Sequence, residues 1–257
     1  MRSLLFTIVF YVVTALFLIL GSPLLAAPRA WAMVGLRAHA RTVTWLLRVI
    51  VGTRTEVRNH DRLPNGPCLI VSKHQSAWET FALIPLLKDP AIVLKTELTR
   101  IPLYGWFCRK FEHIAVDRDR GPSALRDMIK TARARCAEGR QILIFAEGTR
   151  VDPGAEPDNK PGFVALYNGL DVPCVPVALN SGLYWPARQH QHYAGTIIVA
   201  FGEPLPAGLA RKDFRNRVVE RVETMSTALV KEAAAVPTPP PTVAAALQRL
   251  DRIKIEH

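Results

Sequence analysis

Pro64-Asn65-Gly66-Pro67-Cys68-Leu69-Ile70-Val71-Ser72-Lys73-His74-Gln75-Ser76-Ala77-Trp78-Glu79-Thr80 runs from a turn through a short β-branched apolar stretch into a polar one. Cys68 to Ser72 reads as a buried strand, about 68–72, entered from the Pro/Gly turn. Thr80-Phe81-Ala82-Leu83-Ile84-Pro85-Leu86-Leu87 then reads as helical, so the spacing predicts a helix over about 76–88. His74 therefore sits where a strand ends and a helix begins, the position at which open α/β sheets gather their chemistry.

The alternation continues on the C-terminal side. Strand-like patches recur at about 91–95, 111–116, 141–146, 174–179 and 195–201. Helical patches fall at about 121–138 and 211–233, with Gly121-Pro122-Ser123 and Arg211-Lys212-Asp213 as starts. This order predicts an α/β fold with a mainly parallel sheet flanked by helices over residues 53–235. Val236-Pro237-Thr238-Pro239-Pro240-Pro241 is a stiff linker. Residues 236–257 thus comprise this linker and a short tail, 242–257, for which a surface helix and disorder both stand open.

On the N-terminal side, Leu4 to Ala27 holds no charged residue and is long enough to cross a bilayer. A cleavable secretory signal ending at Leu25-Ala26-Ala27 is the rival reading. The length of the run, the single Arg2 before it and the second apolar segment after it favour an anchor. That second segment, Ala30 to Val51, is amphipathic: at helical period Arg37, Arg41 and Arg48 share one stripe. Such a stripe suits a helix lying among lipid phosphates. Residues 1–52 are thus expected to form a membrane-associated helical hairpin, dipping into one leaflet or spanning with its first helix. The excess of Arg after the first helix puts the remainder on the cytoplasmic side. A pair of core-packing helices is the plainer alternative.

The chain carries 33 Lys and Arg against 22 Asp and Glu, a formal charge of +11. Residues 1–60 hold seven arginines and one acid, Glu56. A basic region beside an apolar one points to anionic lipid. Without a stripe of basic residues interleaved with aromatics, nucleic acid is not an expected partner. The cysteines Cys68, Cys108, Cys136 and Cys174 form no CxxC pair and read as reduced thiols of a cytosolic compartment. There is no GxSxG elbow, GxGxxG, P-loop, HExxH or zinc spacing. His190-Gln191-His192 reads as a pair of surface histidines, and no metal site is expected.

His74 with Glu79 is the acid/base candidate, a neutral imidazole whose tautomer a carboxylate fixes. Positions i and i+5 lie about 140° apart on one helix, so the two meet only if the chain turns between them. Ser76-x-x-Glu79 as a capping box provides that turn. It also leaves open that Glu79 only caps the helix. Glu147-Gly148-Thr149-Arg150 follows the strand Ile142-Leu143-Ile144-Phe145 and offers an anion site, because glycine permits backbone approach and arginine grips phosphate bidentately. Val116-Asp117-Arg118 and Val93-Leu94-Lys95 likewise end strands in cations, so three strand ends converge on the histidine.

His74-x-x-x-x-Glu79, Ile114-Ala115-Val116-Asp117-Arg118, Phe145-Ala146-Glu147-Gly148-Thr149-Arg150 and Val175-Pro176-Val177-Ala178-Leu179-Asn180, in this order, resemble the four blocks of the glycerolipid acyltransferase family. The similarity is greatest to the bacterial enzymes that acylate 1-acyl-sn-glycerol-3-phosphate. It covers about residues 53–205. Lys73 stands where the family usually has Asn, Glu79 where it has Asp, Glu112 and Ala115 where it has Gly and Phe, and Ala146 where it has Pro.

The resemblance implies transfer of an acyl group from acyl-coenzyme A or acyl carrier protein to the sn-2 hydroxyl of lysophosphatidic acid, without metal or cofactor. His74 is then the base and Glu79 its partner. Arg118 and Arg150 bind the acceptor phosphate, Glu147 orients them or the glycerol, and Gly148 and Thr149 shape the turn. Lys95 and Lys160 are further cations. The expected location is the bacterial inner membrane, cytoplasmic face. Another lysolipid acceptor such as a lyso-ornithine lipid, a thioesterase-like hydrolase and a non-catalytic lipid-binding protein are the rival functions.

Overall fold

Residues 1–256 are described by the computed structural model. Two helices come first, α1 (Arg2–Leu20) and α2 (Arg29–Ile50). The remaining elements are β1 (Thr53–Arg58), β2 (Leu69–Ser72), α3 (Glu79–Ala82), β3 (Pro90–Lys95), α4 (Tyr104–Lys110), β4 (Ile114–Val116), α5 (Pro122–Ala137) and β5 (Gln141–Phe145). After these come α6 (Gly162–Leu170), β6 (Cys174–Leu179), α7 (Ser181–Tyr184), β7 (Gly195–Phe201), α8 (Arg211–Ala234) and α9 (Thr242–Glu256).

The strands form one sheet in the order β1-β7-β6-β2-β5-β3-β4. β6, β2, β5, β3 and β4 run parallel, while β7 pairs antiparallel with β6 and parallel with β1. Alternate residues of each strand face opposite layers. Ile70, Leu143, Val175 and Val177 face α2, whose Ala40, Val43 and Leu47 are buried with them. Leu69, Val71, Ile142 and Ile144 face α5, α6 and the first half of α8 through Met128, Phe163 and Phe214. The mainly parallel α/β sheet expected from the sequence is therefore present.

Several boundaries differ from the expected ones. The helix foreseen over 76–88 is one turn, α3, followed by a 3-10 turn over Ile84–Leu86. Pro85 lacks the N–H that a continuing α-helix needs. The patch at 111–116 yields only β4, because Glu112 takes φ +57°. A side chain is strained in that left-handed region. Here the Glu112 carboxylate lies 3.0 Å from the Arg140 guanidinium and 3.4 Å from that of Arg135. β1, α4 and α6 were not foreseen. β1 is an edge strand of mostly polar residues, half of them exposed, and lacks an apolar run. The tail is a helix, α9, whose Val243 and Ala246 are buried in the core.

α2 is joined to the sheet by charge as well as by packing. The Arg29 guanidinium makes two bonds to Asp89, of 2.8 and 2.7 Å. Arg140, buried behind them, approaches the same carboxylate at 3.4 Å. Arg37, one of the three stripe arginines, donates to the carbonyls of Leu87 and Lys88. α1 is pinned near its start, where Phe6 is buried against the rings of Trp185 and His192, centroids 5.2 and 4.9 Å away. His192, expected at the surface, is buried, and burial pushes its imidazole down to about 4. The four cysteines are free thiols.

Burial pushes the Asp89 carboxyl up, but the Arg29 bonds and the charge of Arg140 hold it below its ordinary value of 3.8. The pair's contribution is therefore present above that value and is lost as the pH falls through the lower folded-state value. Asp89→Asn is expected to cost about 1–2 kcal/mol at pH 7. Thermal unfolding of both proteins checks this: the difference should be full above the ordinary carboxyl value and shrink as the pH falls below it.

Candidate active site

The strand order places the carboxyl ends of β2, β5, β3 and β4 side by side. Each end runs into one of the polar stretches singled out in the sequence. His74 lies two residues beyond β2, and Glu147 two beyond β5. Ser72 pairs with Phe145 across these strands, so continuing the register sets His74 beside Glu147. The Ala146 amide extends that ladder to the Ser72 carbonyl at 3.1 Å.

His74 is held on four sides. Its amide donates to Glu147 Oε2 at 3.1 Å, and its carbonyl accepts from the Val151 amide at 2.8 Å. Its ring stacks on Phe145 with centroids 4.3 Å apart. Its Nδ1 meets Glu79 Oε1 at 2.9 Å. An ionised carboxylate only accepts, so Nδ1 carries the proton and Nε2 presents a lone pair. Nε2 has no protein partner among the described residues, and His74 lines a large cavity.

Glu79 is fully buried yet accepts four hydrogen bonds. Besides His74 Nδ1, Oε1 takes the amides of Gln75 and Ser76, both at 2.6 Å, and Oε2 takes the Ser181 hydroxyl at 2.7 Å. Half of the expected capping box is formed: Glu79 reaches back to the Ser76 amide, but the Ser76 hydroxyl accepts from Trp78 rather than Glu79. The two readings of Glu79, as cap and as histidine partner, are thus both realised by one carboxylate. Ser181 was not singled out. It opens α7, 102 residues further along the chain, and no spacing rule connects it to Glu79.

The cavity has a volume of about 1230 Å3, above the range of ordinary ligand clefts. At one end stand His74, Arg118, Gly148, Thr149, Arg150 and Lys160, with Lys95 on the same wall. The Arg118 guanidinium packs on Gly148 so closely that a Cβ there would lie 2.6 Å from it. Gly148 also takes φ +62°, which glycine adopts without strain, and a side chain there would in addition push the Arg118 guanidinium aside. Lys160 reaches Asp158 at 2.5 Å. The other end runs between α1, α2 and α4, lined by Phe17, Leu24, Leu36 and Phe107. His113 on this wall is neutral: burial pushes it down to about 3, and Nδ1 accepts the Ile92 amide.

Glu147 departs from its expected place. It is fully buried beneath the His74 amide, with Lys73 Nζ 3.0 Å from Oε1, and does not line the cavity with Arg118 and Arg150. No group of three or more His, Cys, Asp or Glu side chains suited to a metal ion occurs among the described residues.

The acyltransferase family model matches residues 54–180. The human protein named 1-acyl-sn-glycerol-3-phosphate acyltransferase beta is 30% identical over 191 residues, covering 69% of each chain. This chain belongs to the acyltransferase family. A Pseudomonas aeruginosa acyltransferase, named 1-acyl-sn-glycerol-3-phosphate acyltransferase, is 40% identical over 167 residues. That match covers 65% of this chain and 65% of the relative, just under two thirds of its length. Among solved structures, the 1-acyl-sn-glycerophosphate (LPA) acyltransferase of Thermotoga maritima shares the fold, with a TM-score of 0.76 over 89% of this chain and 98% of that one. Its sequence identity is 22%, which speaks for the fold alone.

Ser181 supplies one of four donors to a buried carboxylate, and a hydrogen bond to a charged group is worth about 1.5–3 kcal/mol. Ser181→Ala is expected to lower kcat roughly tenfold with KM nearly unchanged. Ser181→Thr, which keeps the hydroxyl, should retain most of the activity in steady-state assays.

Proposed function

We propose that this protein transfers a fatty acyl group from a thioester donor to the sn-2 hydroxyl of lysophosphatidic acid at a membrane surface. One arrangement carries the reading. The free Nε2 of a carboxylate-bound histidine opens into a cavity that is cationic at one end and apolar along its length. Such a cavity suits a molecule with an anionic head and a hydrocarbon tail. The phosphate would lie against Arg118 and Arg150, with Lys95 and Lys160 adding charge.

In the reaction, His74 Nε2 takes the proton of the acceptor hydroxyl as its oxygen attacks the thioester carbonyl. The tetrahedral adduct collapses with cleavage of the carbon–sulfur bond. The imidazolium returns its proton to the departing thiolate, so atoms and charge balance. Glu79 stabilises the imidazolium through Nδ1. The chemistry needs no covalent enzyme intermediate, because a thiol is already a good leaving group. The donor is coenzyme A or an acyl carrier protein; both present the same thioester.

The surface supports membrane docking. Among the described residues α1 is the one helix long and apolar enough to cross a bilayer. Its first turns are pinned to Trp185 and His192, and at its other end Gly21 abuts Phe107 of α4. A helix of about 28 Å held to the same domain at both ends favours lying along the domain. The exposed Leu4, Ile8 and Leu20 of α1, Trp31 and Trp45 of α2, and Trp106 of α4 favour insertion into one leaflet, with Trp at the interface.

His74→Ala is expected to lower kcat by about 10^2–10^4 and Glu79→Gln to act in the same direction. The assay is esterification of lysophosphatidic acid by purified protein in detergent, run with both donors beside a panel of other lysolipids. Failure to form phosphatidic acid with either donor would overturn the proposal. Ester formation only with a phosphate-free acceptor would replace its substrate, and release of free fatty acid without an acceptor would make the protein a hydrolase.

A further inference from the structure

Lys73 precedes the candidate base and is itself buried, 2% exposed at the side chain. A buried ammonium is costly unless it is paired, and this one has two partners. Its Nζ lies 3.0 Å from Glu147 Oε1 and 2.6 Å from Glu223 Oε1, on α8, 150 residues along the chain. The Lys73 amide donates to the Val177 carbonyl of β6 at 3.1 Å, so the residue is fixed to a neighbouring strand as well. Glu147 uses its other oxygen, Oε2, on the His74 amide. A continuous line therefore runs from α8 through Glu223, Lys73 and Glu147 to the backbone of His74.

We infer that Lys73 is a positioning residue for His74: its ammonium keeps the buried Glu147 carboxylate in place, and that carboxylate fixes the His74 backbone. The inference rests on the acyl-transfer reading for its kinetic consequence, though not for its geometry. Glu79 orients the ring through Nδ1, while Lys73 and Glu147 set where the residue stands. Substituting Lys73 with an apolar residue leaves Glu147 buried without its neighbouring cation. The carboxylate must then take up a proton or draw in water, and either change alters what the His74 amide meets. Glu223, a partly exposed acid, gives the ammonium its second partner, so the three groups together carry one net negative charge. The ion pairing agrees with this. Burial alone would lower the Lys73 ammonium, yet the two carboxylates hold it above its ordinary value; burial pushes Glu147 up and Lys73 opposes it.

The test compares Lys73→Met, Glu147→Gln and the Lys73→Met/Glu147→Gln double variant, each checked for folding by thermal unfolding. Lys73→Met should lower kcat about 100-fold, the scale of a small misplacement of a reacting group. KM for both substrates should stay within about threefold. The double variant should recover about tenfold of that loss, because an amide still accepts the His74 N–H and the buried Glu147 position no longer holds an unpaired charge; the carboxylate that remains, Glu223, is partly exposed to solvent. Unchanged kcat in Lys73→Met, a loss confined to KM, or no recovery in the double variant would overturn the inference. Should Lys73→Met not fold, a folded double variant less active than Glu147→Gln by more than about tenfold would also overturn it.

Nitrogen-15 NMR of histidine-labelled protein reads the geometry without turnover. The His74 Nδ1 signal should move in Lys73→Met and return towards its wild-type position in the double variant. An unmoved signal overturns the positioning role. The predicted NMR pattern in the variants, together with a wild-type protein that transfers no acyl group, overturns the functional proposal and leaves Lys73 in its role.

Discussion

A carboxylate with no exposed surface, Glu79, gathers four hydrogen bonds from His74 Nδ1, two backbone amides and Ser181. A buried ionised group costs several kcal/mol unless its lone pairs are filled. The local chain is shaped by that demand. The turn from β2 into α3 brings the Gln75 and Ser76 amides to one oxygen, and α7 delivers a hydroxyl to the other. The result is a histidine whose tautomer is set before any substrate arrives. Preorganisation of this kind removes the cost of arranging the base at the moment of reaction.

The sheet does the rest of the assembly. Four neighbouring parallel strands end side by side; Lys95 closes β3, and His74, Glu147 with Arg150, and Arg118 follow the ends of β2, β5 and β4. β2 and β5 are in register such that His74 and Glu147 meet through backbone amide and carboxylate. The helices on one face contribute apolar walls, so one opening joins a cationic floor to a hydrocarbon channel. α2 takes part in both roles, since Val43 and Leu47 fill the core while Trp31 and Trp45 face outwards. Its fixation by Arg29 and Asp89 therefore bears on the shape of the channel as well as on stability.

Much of this was legible in the sequence for a physical reason. Fully buried parallel strands are short runs of Val, Ile and Leu, and the polar residue that ends such a run stands at the sheet edge. That rule located His74, Lys95, Arg118 and Arg150, and all four line the cavity. The sequence did not show where Glu147 points. Its carboxylate continues the alternation from Phe145, on the side of the sheet where His74 stands, and only the register reveals this. Ser181 and Glu223 lie more than 100 residues from their partners, so no local pattern connects them. Lys73 stood in view as a departure from the family pattern, but its two carboxylates become visible only when α8 is packed on β6. The edge strand β1 escaped because an exposed strand carries no apolar run.

The measurement closest to the centre of this account is a crystal structure of the wild-type protein with lysophosphatidic acid and no acyl donor. The acceptor hydroxyl is expected within hydrogen-bond reach of His74 Nε2, about 2.6–3.2 Å. The phosphate is expected against Arg118 and Arg150, with the acyl tail between α1 and α2. A hydroxyl directed away from His74, or a phosphate bound outside the cationic end of the cavity, would contradict it.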